Sequence, residues 1–506
     1  MTTAVTTPAP VRSRRSIWWL AALMVGIAAV AFVNLPTPFH GDQALWMVYT
    51  RQIDHGAALY SDLWDTKQPL IFYFFLMAGR LFGFDEVGVH ILEALWLLGT
   101  AAVLFVTSRW YLRSMWARLA VPALAVGLYY IATGPLHQTQ VEALSGLPIF
   151  LAMWFALSPP DAPEPTRWRR TWAGFFGSVA VLFKISFGPI VAAIWLAALV
   201  IELSRGSRGS RGRALGEFLI PIVAGAIVPI AIAAAYLSSI GSLDEAWAIA
   251  LYVISVPGEL AAASRRVQGS TLWFARKFAV VGELAAVAAV GFITKWRRGP
   301  MVIASLVWVV AGFITIILQN WWWQYHYLVI LTPLAILAGV GVDLLIERAP
   351  RWLQLAFLGL ALVTLAWSNG AAFAADVTRM AQHGFDPVVW GESYTPWAKA
   401  KPEADFLEER LQDEGSVYVF GDPLILHLTG NPYAISIHSW GAEVWTHDLW
   451  AEAYSQLVET IPDMIYVSTF YVPYISEHSP EIEQMLLERY VNQRSTAEGT
   501  WYVLSG

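Results

Sequence analysis

Eleven apolar runs, at residues 17–35, 87–107, 119–134, 141–157, 172–187, 189–203, 214–238, 276–294, 301–318, 328–346 and 353–374, divide the first three quarters of the chain. Crossing a hydrocarbon core of roughly 30 Å takes about 20 helical residues, and a backbone in lipid must satisfy its own hydrogen bonds. The pattern predicts a polytopic α-helical membrane protein of about eleven spans. Composition agrees, with 57% hydrophobic and only 14% charged residues, far from the balance of a soluble domain. Pro189 makes either a kink in one long helix or a hairpin between two. With no cysteine in the chain, disulfides and thiolate chemistry are excluded together.

Arginine placement orients the spans. If residues 1–16 are a cytoplasmic tail, the inner connections carry 18 of the 32 basic residues, as the positive-inside tendency requires. They include Arg12, Arg14 and Arg15, Arg109, Arg113 and Arg118, Arg167, Arg169 and Arg170, and Lys295, Arg297 and Arg298. No cleavage pattern follows the first run, so an uncleaved anchor is expected. An odd span count then puts outer loops 36–86 and 239–275, the short connection 319–327 and residues 376–506 outside. Glycine and serine interleaved with arginine near 206–212, and the proline-rich stretch 159–165, mark inner linkers.

Beyond residue 375 the character changes. Residues 376–506 hold 20 of the 38 acidic groups but 6 of the 32 basic ones. Helical patterns at 403–413, 449–460 and 480–490 alternate with short β-branched or aromatic runs at 417–420, 433–437, 464–467 and 501–504, which predicts a small extracytoplasmic α/β domain. Its acidity suits a domain that must stay soluble. It has no glycine-rich phosphate fingerprint, and no nucleic-acid partner is expected.

Chemistry concentrates in residues 40–69, where Asp42, Asp54, Asp62, Asp65 and Lys67 interrupt an apolar half-chain. Residues 42–55, with Ala44, Leu45, Val48 and Ile53 among polar groups, and residues 69–83 predict helices lying on the membrane surface. Asp54 reads as an ordinary solvated loop charge. Asp42 and the run Tyr60, Asp62, Asp65, Lys67 and Pro69 pack acid and base among aromatic residues, where burying charge is costly unless it is used. Arg265 and Arg266 lie on the predicted outer face, either as a solvated helix face or as anion ligands on a loop that closes over a phosphate. His326 stands among Trp321, Trp322, Trp323, Tyr325 and Tyr327, rings that an aromatic belt would explain without catalysis. His90, Glu93, Lys184 and Glu283 fall within spans, and such groups face a protein interior or a polar cavity. Glu142 lies just outside the fourth span.

The sequence His40-Gly41-Asp42-Gln43, then Leu59-Tyr60-x-Asp62-x-x-Asp65-x-Lys67-Gln68-Pro69, then His326-Tyr327 with Pro333 beyond, resembles the GT-C glycosyltransferases. It is most similar to their protein O-mannosyltransferase-like branch, with the lipid A aminoarabinose transferase-like and RgtA/B/C/D-like enzymes. Gln43 replaces the family's usual glutamate, and Gln68 its first proline. The resemblance implies that residues 17–375 form a catalytic membrane domain. It also implies transfer of a hexose or pentose from a polyprenyl-phosphate donor to a glycan, lipid or protein hydroxyl, with inversion at the anomeric carbon. Asp42 would be the general base and Lys67 the phosphate partner, while Gln43, Tyr60, Asp62, Asp65, Arg265, Arg266, His326 and Tyr327 would bind substrate. No cofactor is expected, since no compact set of metal ligands is spaced along the chain. The competing classes are a transporter or lipid flippase, for which inverted repeats are missing, and a non-catalytic scaffold.

Overall fold

The computed structural model describes residues 14–157, 166–205, 211–255, 264–294, 299–411 and 415–505. The linkers near 159–165 and 206–210, Arg12, Glu259, Lys295, Arg297 and Arg298 lie outside the described residues. Each of the eleven apolar runs forms a helix. Among the described residues, seven are long and apolar enough to cross a membrane: Glu86–Ser108, Met115–Ala132, Ile185–Ser204, Leu215–Ser239, Pro300–Gln319, Gln324–Arg348 and Arg351–His383. Ile17–Val33, Val141–Ala156 and Ala279–Ile293 are apolar but shorter. Arg167–Phe183, the eleventh, spends its first turns on arginines. The protein is a multi-pass membrane protein. Its outward faces are those of a body solvated by lipid: Ile220, Ile227 and Ile232 on one helix, and Leu355, Leu358 and Val363 on another, are all exposed, far more apolar surface than water tolerates.

Pro189 neither kinks nor breaks a helix. The break falls earlier, at Lys184, whose backbone is extended (φ −159°, ψ 122°). Pro189 then sits in the first turn of Gly188–Arg205, where its missing N–H would have been unpaired anyway. Helices Arg167–Phe183 and Arg211–Ser239 approach backbone to backbone through Gly174 and Gly225, each of which would drive a Cβ into a carbonyl of the other helix.

The connection 36–86, expected to be an outer loop, holds helices Asp42–Asp54 and Leu70–Phe82. Asp42–Asp54 is not a surface helix. Gln43 through Thr50 and Ile53 are all buried, because Trp46, Met47 and Tyr49 make the face opposite Ala44 and Val48 equally apolar, and a helix apolar all round must be covered all round. Leu70–Phe82 and the C-terminal domain both pack against it.

That domain carries a four-stranded sheet in the order β1-β2-β4-β3, with β1 Val417–Phe420, β2 Met464–Ser468, β3 Tyr490–Ser495 and β4 Gly499–Leu504. β1 and β2 run parallel, and the other pairs antiparallel. Helices Thr395–Arg410, His447–Thr460 and Pro480–Arg489 form near the expected positions. Two expectations fail. β3 was hidden because it is an edge strand whose middle is exposed and polar. Residues 433–437 form no ladder with the sheet, touching β1 through the Ala434 amide and the Ile437 carbonyl, and make the seam with residues 49–64. Trp64 donates its amide to the Ser436 carbonyl (2.9 Å), and the Tyr49 hydroxyl donates to the carbonyls of Trp64 (3.0 Å) and Ser436 (3.1 Å). Arg51 fastens the seam further, donating to the carbonyls of His427 (2.9 Å) and Phe84 (2.8 Å).

Candidate active site

A cavity of about 850 Å³ lies between the membrane helices and the C-terminal sheet. Asp42, Asp65, Lys67, Lys184, Arg266 and His326 line it from the membrane domain, and Asp422, His438, Trp440, Glu443 and Tyr471 from the C-terminal domain. The tail therefore forms one wall of the site, beyond the solubilising role its acidity suggests.

Asp42 occupies the first turn of its helix, where the N-terminal dipole favours a carboxylate. Gly41 turns the chain into that helix at φ 44°, ψ −102°, a conformation suited to glycine. A Cβ there would overlap the Trp440 ring. The Trp440 indole N–H donates to Asp42 Oδ1 (2.8 Å), the Tyr325 hydroxyl reaches Oδ2 (3.3 Å), and Lys67 Nζ lies 3.7 Å from Oδ2. Burial alone would raise the Asp42 carboxyl, but Lys67 and the Trp440 bond outweigh it and hold the group below its ordinary value. Asp42 is thus a carboxylate with three neighbours that favour its charge.

The loop carrying Lys67 is pinned. Tyr60 holds the left-handed region (φ 79°), which a bulky residue rarely adopts. Its amide donates to Leu63 (3.0 Å) and its hydroxyl to the Lys67 carbonyl (2.8 Å). Asp65, 2% exposed, accepts the Lys67 amide (2.7 Å). Burial pushes its carboxyl up to about 6, against the pull of Lys67. Lys67 itself is raised, because the carboxylates of Asp42, Asp65 and Glu142 outweigh burial.

Two further cations complete the membrane-side wall. Lys184 pairs with Glu142 (2.7 Å), the carboxylate its position demanded. Arg266 stacks over the Trp323 ring, 4.4 Å from its centroid. His326 Nε2 lies 3.9 Å from Glu142, and its Nδ1 is buried without a hydrogen-bond partner.

The structure thus gathers Asp42, Asp65, Lys67, Arg266 and His326 around one cavity and leaves other candidates off its walls. Gln43 serves the frame: its amide donates to the carbonyls of Pro135 (2.8 Å) and Gln138 (2.6 Å) while its oxygen accepts from His40 N. Tyr60 holds the loop from behind. Asp62 is exposed and caps the Ala58 amide (2.7 Å). Tyr327 is buried against Phe274 and bonded to the Thr271 hydroxyl, leaving Tyr325 as the ring that reaches Asp42. Arg265 opens the helix Ser264–Lys277, and its side chain lies outside the described residues. Trp440 and His438 had no local signal in a chain with 26 tryptophans. Glu142 had one, the need of Lys184 for a partner. Among the described residues, no group of three or more His, Asp or Glu is arranged to hold a metal ion.

The family model described as dolichyl-phosphate-mannose-protein mannosyltransferase matches residues 66–232. No curated protein sequence matches the chain. Two solved structures are similar over nearly the whole length. One is ArnT from Cupriavidus metallidurans in the apo state, with 14% identity, TM-score 0.61, and 96% of this chain and 98% of that one covered. The other is the same protein bound to undecaprenyl phosphate, with 14% identity, TM-score 0.58, and 96% and 97% covered. The chain thus shares the fold of ArnT, a fold of the GT-C type, and over residues 66–232 it is similar to the mannosyltransferase family.

Proposed function

We propose that the protein is a glycosyltransferase that moves a sugar from a polyprenyl-phosphate donor to an acceptor hydroxyl, with Asp42 as general base, at the extracytoplasmic face. The observation that carries this reading is the Asp42–Lys67 pair, 3.7 Å apart on the wall of a cavity roofed by the C-terminal domain. The chemistry needs a proton acceptor beside a cation, and both are held there by neighbouring groups. Support for the donor class comes from similar proteins. The ArnT structure carries undecaprenyl phosphate, and the matching family model is named for a dolichyl-phosphate sugar. The arginine-rich inner connections support the orientation.

The acceptor hydroxyl hydrogen-bonds to Asp42 and attacks the anomeric carbon from the side opposite the phosphate. As the new C–O bond forms, the hydroxyl becomes acidic and its proton passes to Asp42. The bond to the phosphate oxygen breaks with its electron pair, so the anomeric centre inverts. Lys67, with Lys184 and Arg266 on the same wall, meets the charge that grows on the leaving polyprenyl phosphate. A low carboxyl pKa suits this role, since Asp42 is ionised before the hydroxyl arrives. A transporter or flippase gains no comparable support, because its charges are expected near the bilayer midplane.

The test is transfer itself. Purified protein in lipid vesicles is incubated with labelled mannosyl-, glucosyl-, galactosyl- and arabinosyl-phosphoundecaprenol and with delipidated cell-envelope acceptors. Label moving from one of these lipids to an acceptor, with release of undecaprenyl phosphate, is expected. Failure to bind or turn over any of them would count against the reading.

A further inference from the structure

We propose that the C-terminal domain reads the transferred sugar through His438, whose ring shares one sugar hydroxyl with the carboxylate of Asp65. This rests on the glycosyltransferase reading and adds a recognition element supplied by the other domain.

His438 follows the seam residues that bind the outer loop, and it is 5% exposed. Tyr49 (5.7 Å between centroids), Trp64 (5.8 Å) and Tyr433 (6.5 Å) hold the ring on its apolar sides. It lines the cavity, and apart from a backbone contact with Trp440 neither ring nitrogen has a partner in the protein. Leaving a buried polar group unpaired is costly, and a histidine serving only as core would find a partner.

Nε2 lies 3.6 Å from Asp65 Oδ2. That gap is too long for a hydrogen bond but right for a bridge: an oxygen about 2.8 Å from both would sit at the apex of a narrow triangle. Burial, and then the Lys67 charge, push His438 down to about 3, so the ring is neutral, with one N–H to donate. A hydroxyl both donates and accepts. It can give its proton to Asp65 and receive the N–H of His438. A phosphate oxygen has no proton to give and would be repelled by Asp65. The same wall carries Asp422 and Glu443, so the contact favours a neutral or amine-bearing sugar over a carboxylated one. Phosphate binding falls to Lys67, Lys184 and Arg266, all of the membrane domain, and the C-terminal domain enters only at the sugar half of the donor.

His438→Phe keeps a ring in the aromatic slot and removes both nitrogens, while His438→Gln restores an N–H near Nε2. Tryptophan-fluorescence titrations of purified protein compare undecaprenyl phosphate with its mannosyl, glucosyl, galactosyl and arabinosyl forms. Wild type should bind at least one sugar lipid more tightly than undecaprenyl phosphate. His438→Phe should bind that lipid about 5- to 30-fold more weakly, the usual worth of one buried hydrogen bond. It should bind undecaprenyl phosphate as wild type does, and His438→Gln should recover most of the loss. If the phenylalanine variant does not fold, His438→Leu replaces it with the same expectations. Equal weakening toward both lipids, no weakening, or a wild type that gains nothing from any sugar would overturn the inference. A wild type that binds no polyprenyl phosphate at all would instead bring down the parent reading.

Discussion

Asp65→Asn probes the site without knowledge of any substrate. The wild-type carboxyl is buried, and its folded value of about 6 lies above its free value of 3.8. The folded protein therefore holds this proton more tightly than the unfolded chain does. Above about pH 6, burying the ionised group opposes folding. That cost shrinks as pH falls from 6 towards 4 and is gone below the unfolded value. At 1.36 kcal/mol per unit, its full size is about 3 kcal/mol. Asparagine keeps an oxygen to accept the Lys67 amide but carries no charge. The variant should therefore be more stable than wild type by up to about 3 kcal/mol at pH 7.5, with most of the gain lost by pH 4. Unfolding midpoints of purified protein, followed by tryptophan fluorescence across this range, measure it. Lys67 is the largest influence lowering the Asp65 value, so in a Lys67→Met background the window should move to higher pH. A gain that ignores pH, or no gain at pH 7.5, would refute the argument that Asp65 is held as a costly buried charge.

Gly41→Ala forces a left-handed turn on an L-residue and pushes a methyl into Trp440. It should cost about 1–3 kcal/mol of stability, read from the unfolding midpoint, and a neutral result would show that the turn is not constrained. Trp440→Phe removes the N–H that orients Asp42. Transfer assays should show kcat reduced about tenfold or more with the donor KM little changed, as for loss of a bond to a charged group; an unchanged kcat would mean that Asp42 does not depend on the C-terminal domain. Lys67→Met should weaken binding of undecaprenyl phosphate by about 10- to 150-fold, and wild-type affinity would remove Lys67 from the phosphate site.

Much of this molecule was legible along the chain, because spans announce themselves by length and apolarity alone. Asp42, Asp65 and Lys67 were also legible, since charges crowded into a loop among aromatic residues need a use. What could not be read depends on partners far away in sequence. Asp42–Asp54 looked like a surface helix because the elements that cover it, Leu70–Phe82 and the C-terminal domain, cannot be placed from its own residues. Residues 433–437 have strand composition, but they form no ladder: single hydrogen bonds tie them to β1, and the Ser436 carbonyl takes the Trp64 amide and the Tyr49 hydroxyl. Tyr327 belonged to the recognisable pair with His326, yet in the 3-10 turn Gln324–Ile330 it is Tyr325 that reaches Asp42. His438 and Trp440 carry no local mark of function. Only the docking of the domain turns them into walls of the cavity.

In the proposed reaction Asp42 takes a proton during sugar transfer and does little to hold the donor. Asp42→Asn keeps the shape and one oxygen to accept the Trp440 N–H, and replaces the other, basic oxygen with an NH2 group. In a single-turnover experiment with the sugar lipid that wild type uses, donor affinity should stay within about tenfold while transfer falls by about 10²–10⁴-fold. Transfer at the wild-type rate in that variant would rule out Asp42 as the base.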